Sequence, residues 1–119
     1  VSALGYVDFV KPKWTKITQA YTSTSVLTSV KADYFYVKGY KTKLVEIQNK
    51  SPSYTVNWTL LGSNDKSEWH ALTAQSSLSA NSNDHATVTD PWEFLDVKVV
   101  DGSAQSHVSG SVIVVCSTL

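Results

Sequence analysis

Arginine is absent from this sequence: all ten basic residues are lysine, matched by ten acidic ones for a net charge of zero. Arginine supplies the planar fork that reads phosphates and base edges, so its absence argues against a nucleic-acid partner. The single cysteine, Cys116, excludes an internal disulfide and a zinc site built on cysteines. No apolar run approaches the roughly 20 residues of a spanning helix, which argues against a membrane partner. The stretch Val-Ser-Ala-Leu-Gly-Tyr-Val-Asp has no basic end leading into an apolar run, so no secretory signal is expected within it. Methionine is missing too, and apolar residues at helical spacing are hard to find anywhere.

Catalytic signatures are equally scarce. There is no Gly-x-Ser-x-Gly elbow, and Gly110-Ser111 adjoins a strand without the context that motif needs. His70, His85 and His107 do not stand at i, i+2 or i+4 from one another, so they offer no ready-made metal site. Asp90 and Glu93 would need a shared pocket to act as an acid–base pair. Cys116 alternates with Val112 and Val114, which marks a small core residue rather than a reactive thiol. Two Asn-x-Ser/Thr sequons, at Asn49 and Asn57, fall before a proline and in mid-strand, and neither points to a glycosylated surface. The expectation is a protein that is not an enzyme and carries no cofactor and no metal.

What is present is Val, Thr, Tyr and Trp in short alternating segments between turn signals. The 119 residues, 42% hydrophobic against 17% charged, make one globular domain spanning 1–119, with 1–16 as a candidate extended N-terminal arm. The clearest strand is Tyr54–Leu61, where Tyr54, Val56, Trp58 and Leu60 share one face at a period of two. Thr42–Asn49 sets Val45 and Ile47 against Leu44 and Glu46, and Trp92–Val100 turns Leu95, Val97 and Val99 inward with Asp96 and Lys98 outward. Val112–Cys116 is apolar on both faces, the mark of a central strand. Shorter strands are expected at Ala86–Thr89, Leu4–Val10, Thr15–Thr22 and Asp33–Val37, with loops over 73–85 and 101–111. Trp58, Trp69 and Trp92 read as core or core-edge residues. This is the pattern of an antiparallel sandwich or barrel.

The stretch Gly62-Ser63-Asn64-Asp65, followed after three residues by Trp69 and then Leu72, resembles the second half of a discoidin-type (coagulation factor 5/8 C-terminal) domain. The likeness continues through Pro91–Val99 into Gly110–Val114 and covers about residues 54–116. This sequence is shorter than a full discoidin domain and lacks its terminal cysteine pair and basic binding spike, so lipid or glycan binding is not carried over by position. A compact form of the same pattern also resembles small β-sandwich proteins in the heads, tails and fibres of tailed bacteriophages. The resemblance implies an all-β antiparallel β-sandwich, jelly-roll or discoidin-like.

Two features bear on binding. The Gly62–Glu68 loop offers Asn64, Asp65 and Glu68 as oxygen ligands for calcium. The alternative, preferred here, is a turn in which Gly62, Asn64 and Asp65 take positive φ while Ser63 and Ser67 bond the loop backbone. The second feature is aromatic. With Phe35 in the core, Tyr34 and Tyr36 face outward and Tyr40 follows, while Trp14 sits among Lys11, Lys13 and Lys16. Trp14, Tyr34, Tyr36, Tyr40, Lys11 and Lys13 are the candidate interface residues. The resemblance and the aromatic anchors lead to a virion protein that decorates the assembled head, with the major capsid protein or another virion protein as partner. A homo-oligomer such as a trimer is expected. The alternative is a carbohydrate- or cell-surface-binding module that uses the tyrosines.

Overall fold

The structure, a computed structural model, describes residues 14–23, 28–29, 34–101 and 108–119. In these, ten strands follow one another: β1 (Trp14–Ser23), β2 (Thr28–Ser29), β3 (Phe35–Tyr36), β4 (Thr42–Asn49), β5 (Val56–Ser63), β6 (His70–Ala71), β7 (Ser76–Leu78), β8 (Ser82–Val88), β9 (Phe94–Asp101) and β10 (Val108–Ser117). All pairings are antiparallel. One sheet has the order β1-β10-β4-β8. The other is built on β9 and β5, with β2 and β3 along the far side of β9 and β6 and β7 along the far side of β5. With β2–β3 and β6–β7 each taken as one interrupted strand, the chain crosses between sheets in the double Greek-key order of a jelly roll.

The core lies between the sheets. Val45 and Ile47 of β4 and Val112, Val114 and Cys116 of β10 face Phe35, Val56, Trp58, Leu60, Leu95, Val97 and Val99 of the second sheet, all buried. Each such side chain contributes on the order of 1.5–3 kcal/mol. The expected alternation in β4, β5 and β9 is thus the one observed, and β10 is central, flanked by β1 and β4.

The differences cluster where polar residues line a strand. The stretch 73–85, expected as loop, holds β7 and the first part of β8. Ser, Asn, Asp and His are tolerated there because β8 is an edge strand, held by its ladder to β4 rather than by burial. β10 likewise begins at Val108, inside the expected 101–111 loop. Asp96 is on the outer face of β9, as its position predicts, yet it is buried, with Oδ1 accepting the Val97 N–H. Tyr54 precedes β5 and is exposed. β1 starts at Trp14, so the last three residues of the expected arm belong to a sheet; the rest of that arm and the expected Leu4–Val10 strand lie outside the described residues.

At one end of the sandwich Tyr21 crosses over Gly110, and its hydroxyl donates to the Gln48 carbonyl at 2.8 Å. Burial pushes its pKa up to about 12 from 10.0. A folded-state pKa above the unfolded one gives stability that is complete below pH 10 and lost as the pH rises toward 12. The gap is worth ~2–3 kcal/mol at about 1.4 kcal/mol per tenfold. Burial also raises the Cys116 thiol, with the same sign, whereas burial lowers Lys43 and so acts in the opposite sense. Tyr21→Phe is expected to cost about 1 kcal/mol at neutral pH through the lost hydrogen bond. It should then lose less stability than the wild type between pH 10 and 12, a comparison that urea midpoints can make.

Candidate functional site

Strand β4 carries a buried polar side chain at each end of its inward face. Lys43 is fully buried, and its Nζ donates to the carbonyls of Tyr40 at 3.2 Å and Asp90 at 2.6 Å. Burial lowers its pKa, opposed by the charges of Cys116 and Asp90. At the other end Asn49 Nδ2 donates to the carbonyls of Tyr54, Leu78 and Ser79, and its Oδ1 accepts the Ser51 N–H. The buried amide is closed to glycosylation. Both residues fall on the Val45–Ile47 side of the alternation, which is the signal in the sequence that marks them as inward.

Three connections meet at the Lys43 end of the sandwich, the β3–β4 turn (37–41), the β5–β6 loop (64–69) and the β8–β9 loop (89–93): Lys43 joins the first to the third, and Asn64 joins the second to the third. The Gly-Ser-Asn-Asp stretch shapes the middle one. Ser63 Oγ accepts the N–H groups of Asp65 and Lys66. Asp65 Oδ1 accepts those of Ser67 at 2.8 Å and Glu68 at 2.9 Å and the Ser63 hydroxyl, and these bonds hold its carboxyl below the usual range. The left-handed residue is Lys66, at φ 65°, and not Gly62, Asn64 or Asp65 as expected. Asn64 Oδ1 accepts the Glu93 N–H at 2.9 Å, tying this loop to its neighbour. The polar centre of the motif is therefore engaged in turning the chain. No group of three or more His, Cys, Asp or Glu fit for a metal occurs among the described residues.

The predicted aromatic residues do not form one patch. Phe35 is in the core and Tyr36 is exposed, its ring on Phe94 at a centroid distance of 5.4 Å. Tyr34, half-buried, takes φ 64° and lays its ring against Trp69 at 4.7 Å. A left-handed conformation costs a residue of this kind on the order of 1 kcal/mol. Tyr40 turns instead into a cleft beside Pro91 and Trp92. Trp14 stands apart from all three on the outer face of the other sheet, 64% exposed. Lys11 and Lys13 lie outside the described residues.

Trp14 has apolar company that the sequence reading passed over. By register, Trp14, Ser117 and Thr42 form one row of the outer face, and Lys16, Val115, Leu44 and Thr87 the next. Leu119, exposed, closes the group, its carbonyl held by the Thr42 hydroxyl. All of these but Lys16 wall a shallow hollow of about 320 Å³. A solvated sheet face ordinarily turns polar residues outward. Here Trp14, Leu44, Val115 and Leu119 break that pattern. The hint was present in the outward register position of Leu44 and in the two apolar faces of Val112–Cys116.

Comparison with solved structures places this fold among known ones. A protein of Bacillus endospore appendages, which form disulfide-linked pili, superposes with a TM-score of 0.58 over 92% of this chain and 90% of its own, at 9% identity. The SPBc2 prophage-derived protein YomS gives 0.56 over 89% and 96%, at 19% identity. VP2 of infectious bursal disease virus, in a subviral particle, gives 0.55 over 90% of this chain, which spans 33% of VP2, at 10% identity. Identities this low establish a shared fold. No protein-family model matches the chain, so the likeness to discoidin-type domains rests on the quoted motif alone. No curated protein sequence matches it.

Proposed function

We propose that this protein is a non-enzymatic structural component of a virus particle of the tailed-phage kind, seated on the assembled head as a decoration protein. The observation that carries this reading is the apolar outer face around Trp14, Leu44, Val115 and Leu119. An exposed tryptophan beside a shallow apolar hollow, with Lys16 at its rim, has the make-up of a binding hot spot: an aromatic anchor, an apolar surround and a charged edge. The fold shared with a prophage-derived protein and with a capsid protein supports a particle setting. Fold alone does not fix function, so the weight rests on the surface. The partner is the major capsid protein or another virion protein, engaged by the chain as a small homo-oligomer.

Quantitative mass spectrometry of purified particles tests this. The chain should be recovered in stoichiometric proportion to the shell protein and survive washing. Trp14→Ala should weaken retention by about 30-fold, the ~2 kcal/mol of a hot-spot aromatic, without loss of folding. Absence from particles, or recovery with cell-wall material instead, would end the decoration reading.

A further inference from the structure

We propose that the cleft between the β3–β4 turn and the β8–β9 loop is a binding site for an acidic sugar, a pyranose bearing a carboxylate. The cleft encloses about 370 Å³, within the roughly 300–1,000 Å³ of small-molecule sites. Its walls are held before any ligand arrives. The buried Lys43 ammonium clamps the carbonyls of Tyr40 and Asp90, one from each wall. Val37 N–H donates to the Glu93 carbonyl at 2.9 Å, and the Asn64 side chain accepts the Glu93 N–H at 2.9 Å. Trp92 is seated so closely on Gly62 that a Cβ there would come within 2.7 Å of its ring. Burying a lysine is costly unless its ammonium is hydrogen-bonded, and here those hydrogen bonds hold the two walls in register. A preorganised cleft loses little entropy on binding.

The lining selects the ligand. Tyr40, Pro91 and Trp92 offer flat apolar surface of the sort on which the C–H face of a sugar ring packs. The Asn64 bond to Glu93 uses its amide oxygen, and its NH₂ has no protein acceptor among the described residues. Lys38 lies 4.0 Å from Glu93, so their charges offset one another. Lys41 also lines the cleft and has no ion-pair partner among the described residues. An ammonium uncompensated among the described residues, beside an aromatic wall and an amide donor, fits a ring with an anionic substituent. This assignment does not depend on the particle reading, since the cleft and the Trp14 face share no residue.

The test is a ¹H–¹⁵N NMR titration of the whole chain with two acidic probes, sialyllactose and tri-galacturonate, against lactose and chitotriose as neutral controls. An acidic probe should shift the amides of residues 38–41, 64 and 90–93 and the Trp92 indole, and added salt should reverse the shifts. A response to sialyllactose alone assigns the site to a cell-surface glycan terminus, and one to tri-galacturonate alone to a uronic polymer. Lys41→Glu, at an exposed position, should weaken binding at least about tenfold with the rest of the spectrum unchanged. Tyr40→Ala should do the same through the lost wall, and Trp14→Ala should leave binding intact. The proposal is overturned by the absence of any shift up to the solubility of the probes, by equal response to the neutral sugars, or by shifts that map elsewhere. Binding of an acidic peptide in the cleft with no response to sugars would overturn it in favour of a protein ligand.

Discussion

Gly110→Ala is expected to destabilise the fold by at least about 4 kcal/mol, a large share of the ~5–15 kcal/mol that holds a domain together. Gly110 lies on the inner face of β10, paired with Tyr21 of β1 and Asn49 of β4. A Cβ there would overlap the Gln48 carbonyl oxygen and stand 2.6 Å from the Tyr21 hydroxyl. A crowded side-chain tip can swing away at a cost of about 1–3 kcal/mol. The Gln48 carbonyl cannot, because it belongs to the central strand pair β4–β10, so the sheet itself must open. Gly62→Ala makes the informative comparison. There the nearest atoms belong to the side chains of Trp92 and Leu72, and the cost should be smaller. Denaturant unfolding followed by tryptophan fluorescence would rank the two, and a Gly110→Ala midpoint close to that of the wild type would refute the argument.

Asn49→Asp is expected to cost about 3–5 kcal/mol at neutral pH, the range for an uncompensated buried charge. The amide of Asn49 donates across 2.9, 3.0 and 3.1 Å to three carbonyls that close one end of the sandwich. A carboxylate cannot donate, and it would face those oxygens with like partial charge while remaining buried. The pH dependence has a definite sign. Burial among acceptors raises the pKa of the introduced carboxyl above its unfolded value, so the neutral, donating form is favoured at low pH and stability is lost as pH rises. The gap to the wild type should therefore narrow at pH 4 relative to pH 7. Asn49→Ala, which leaves the carbonyls unbonded without adding charge, should cost about 2–3 kcal/mol at both values. Urea midpoints at the two pH values separate these cases, and a gap that does not change with pH would rule out the electrostatic explanation.

Legibility followed burial. Strands whose apolar residues alternate were readable because one face must be removed from water: Val45 and Ile47, Val56 to Leu60, and Leu95 to Val99 all lie where the period of two puts them. Ser82–Val88 was not readable, since an edge strand of Ser, Asn, Asp and His is specified by its ladder to β4 and carries no burial signal of its own. The Gly-Ser-Asn-Asp turn was legible in outline, because Ser and Asp bond nearby N–H groups wherever they stand. Its left-handed residue was not, since Lys66 is placed there by the hydrogen bonds of its neighbours to Ser63 and Asp65. Of the candidate interface residues, the aromatic character of Trp14, Tyr34, Tyr36 and Tyr40 was plain, but not their dispersal over two sheet faces and a cleft.

Local chemistry thus determined the all-β class, the inward set of β4, β5, β9 and β10, the central place of Val112–Cys116 and the turn at Gly62–Glu68. These depend on neighbours within a few residues and on the pleat. The tertiary structure alone decided the jelly-roll order, the gathering of Trp14 with Leu44, Val115 and Leu119, and the meeting of Tyr40, Asn64 and Trp92 around one cleft. Each of these joins residues tens of positions apart, and the contacts that join them exist only once the two sheets have closed on their core.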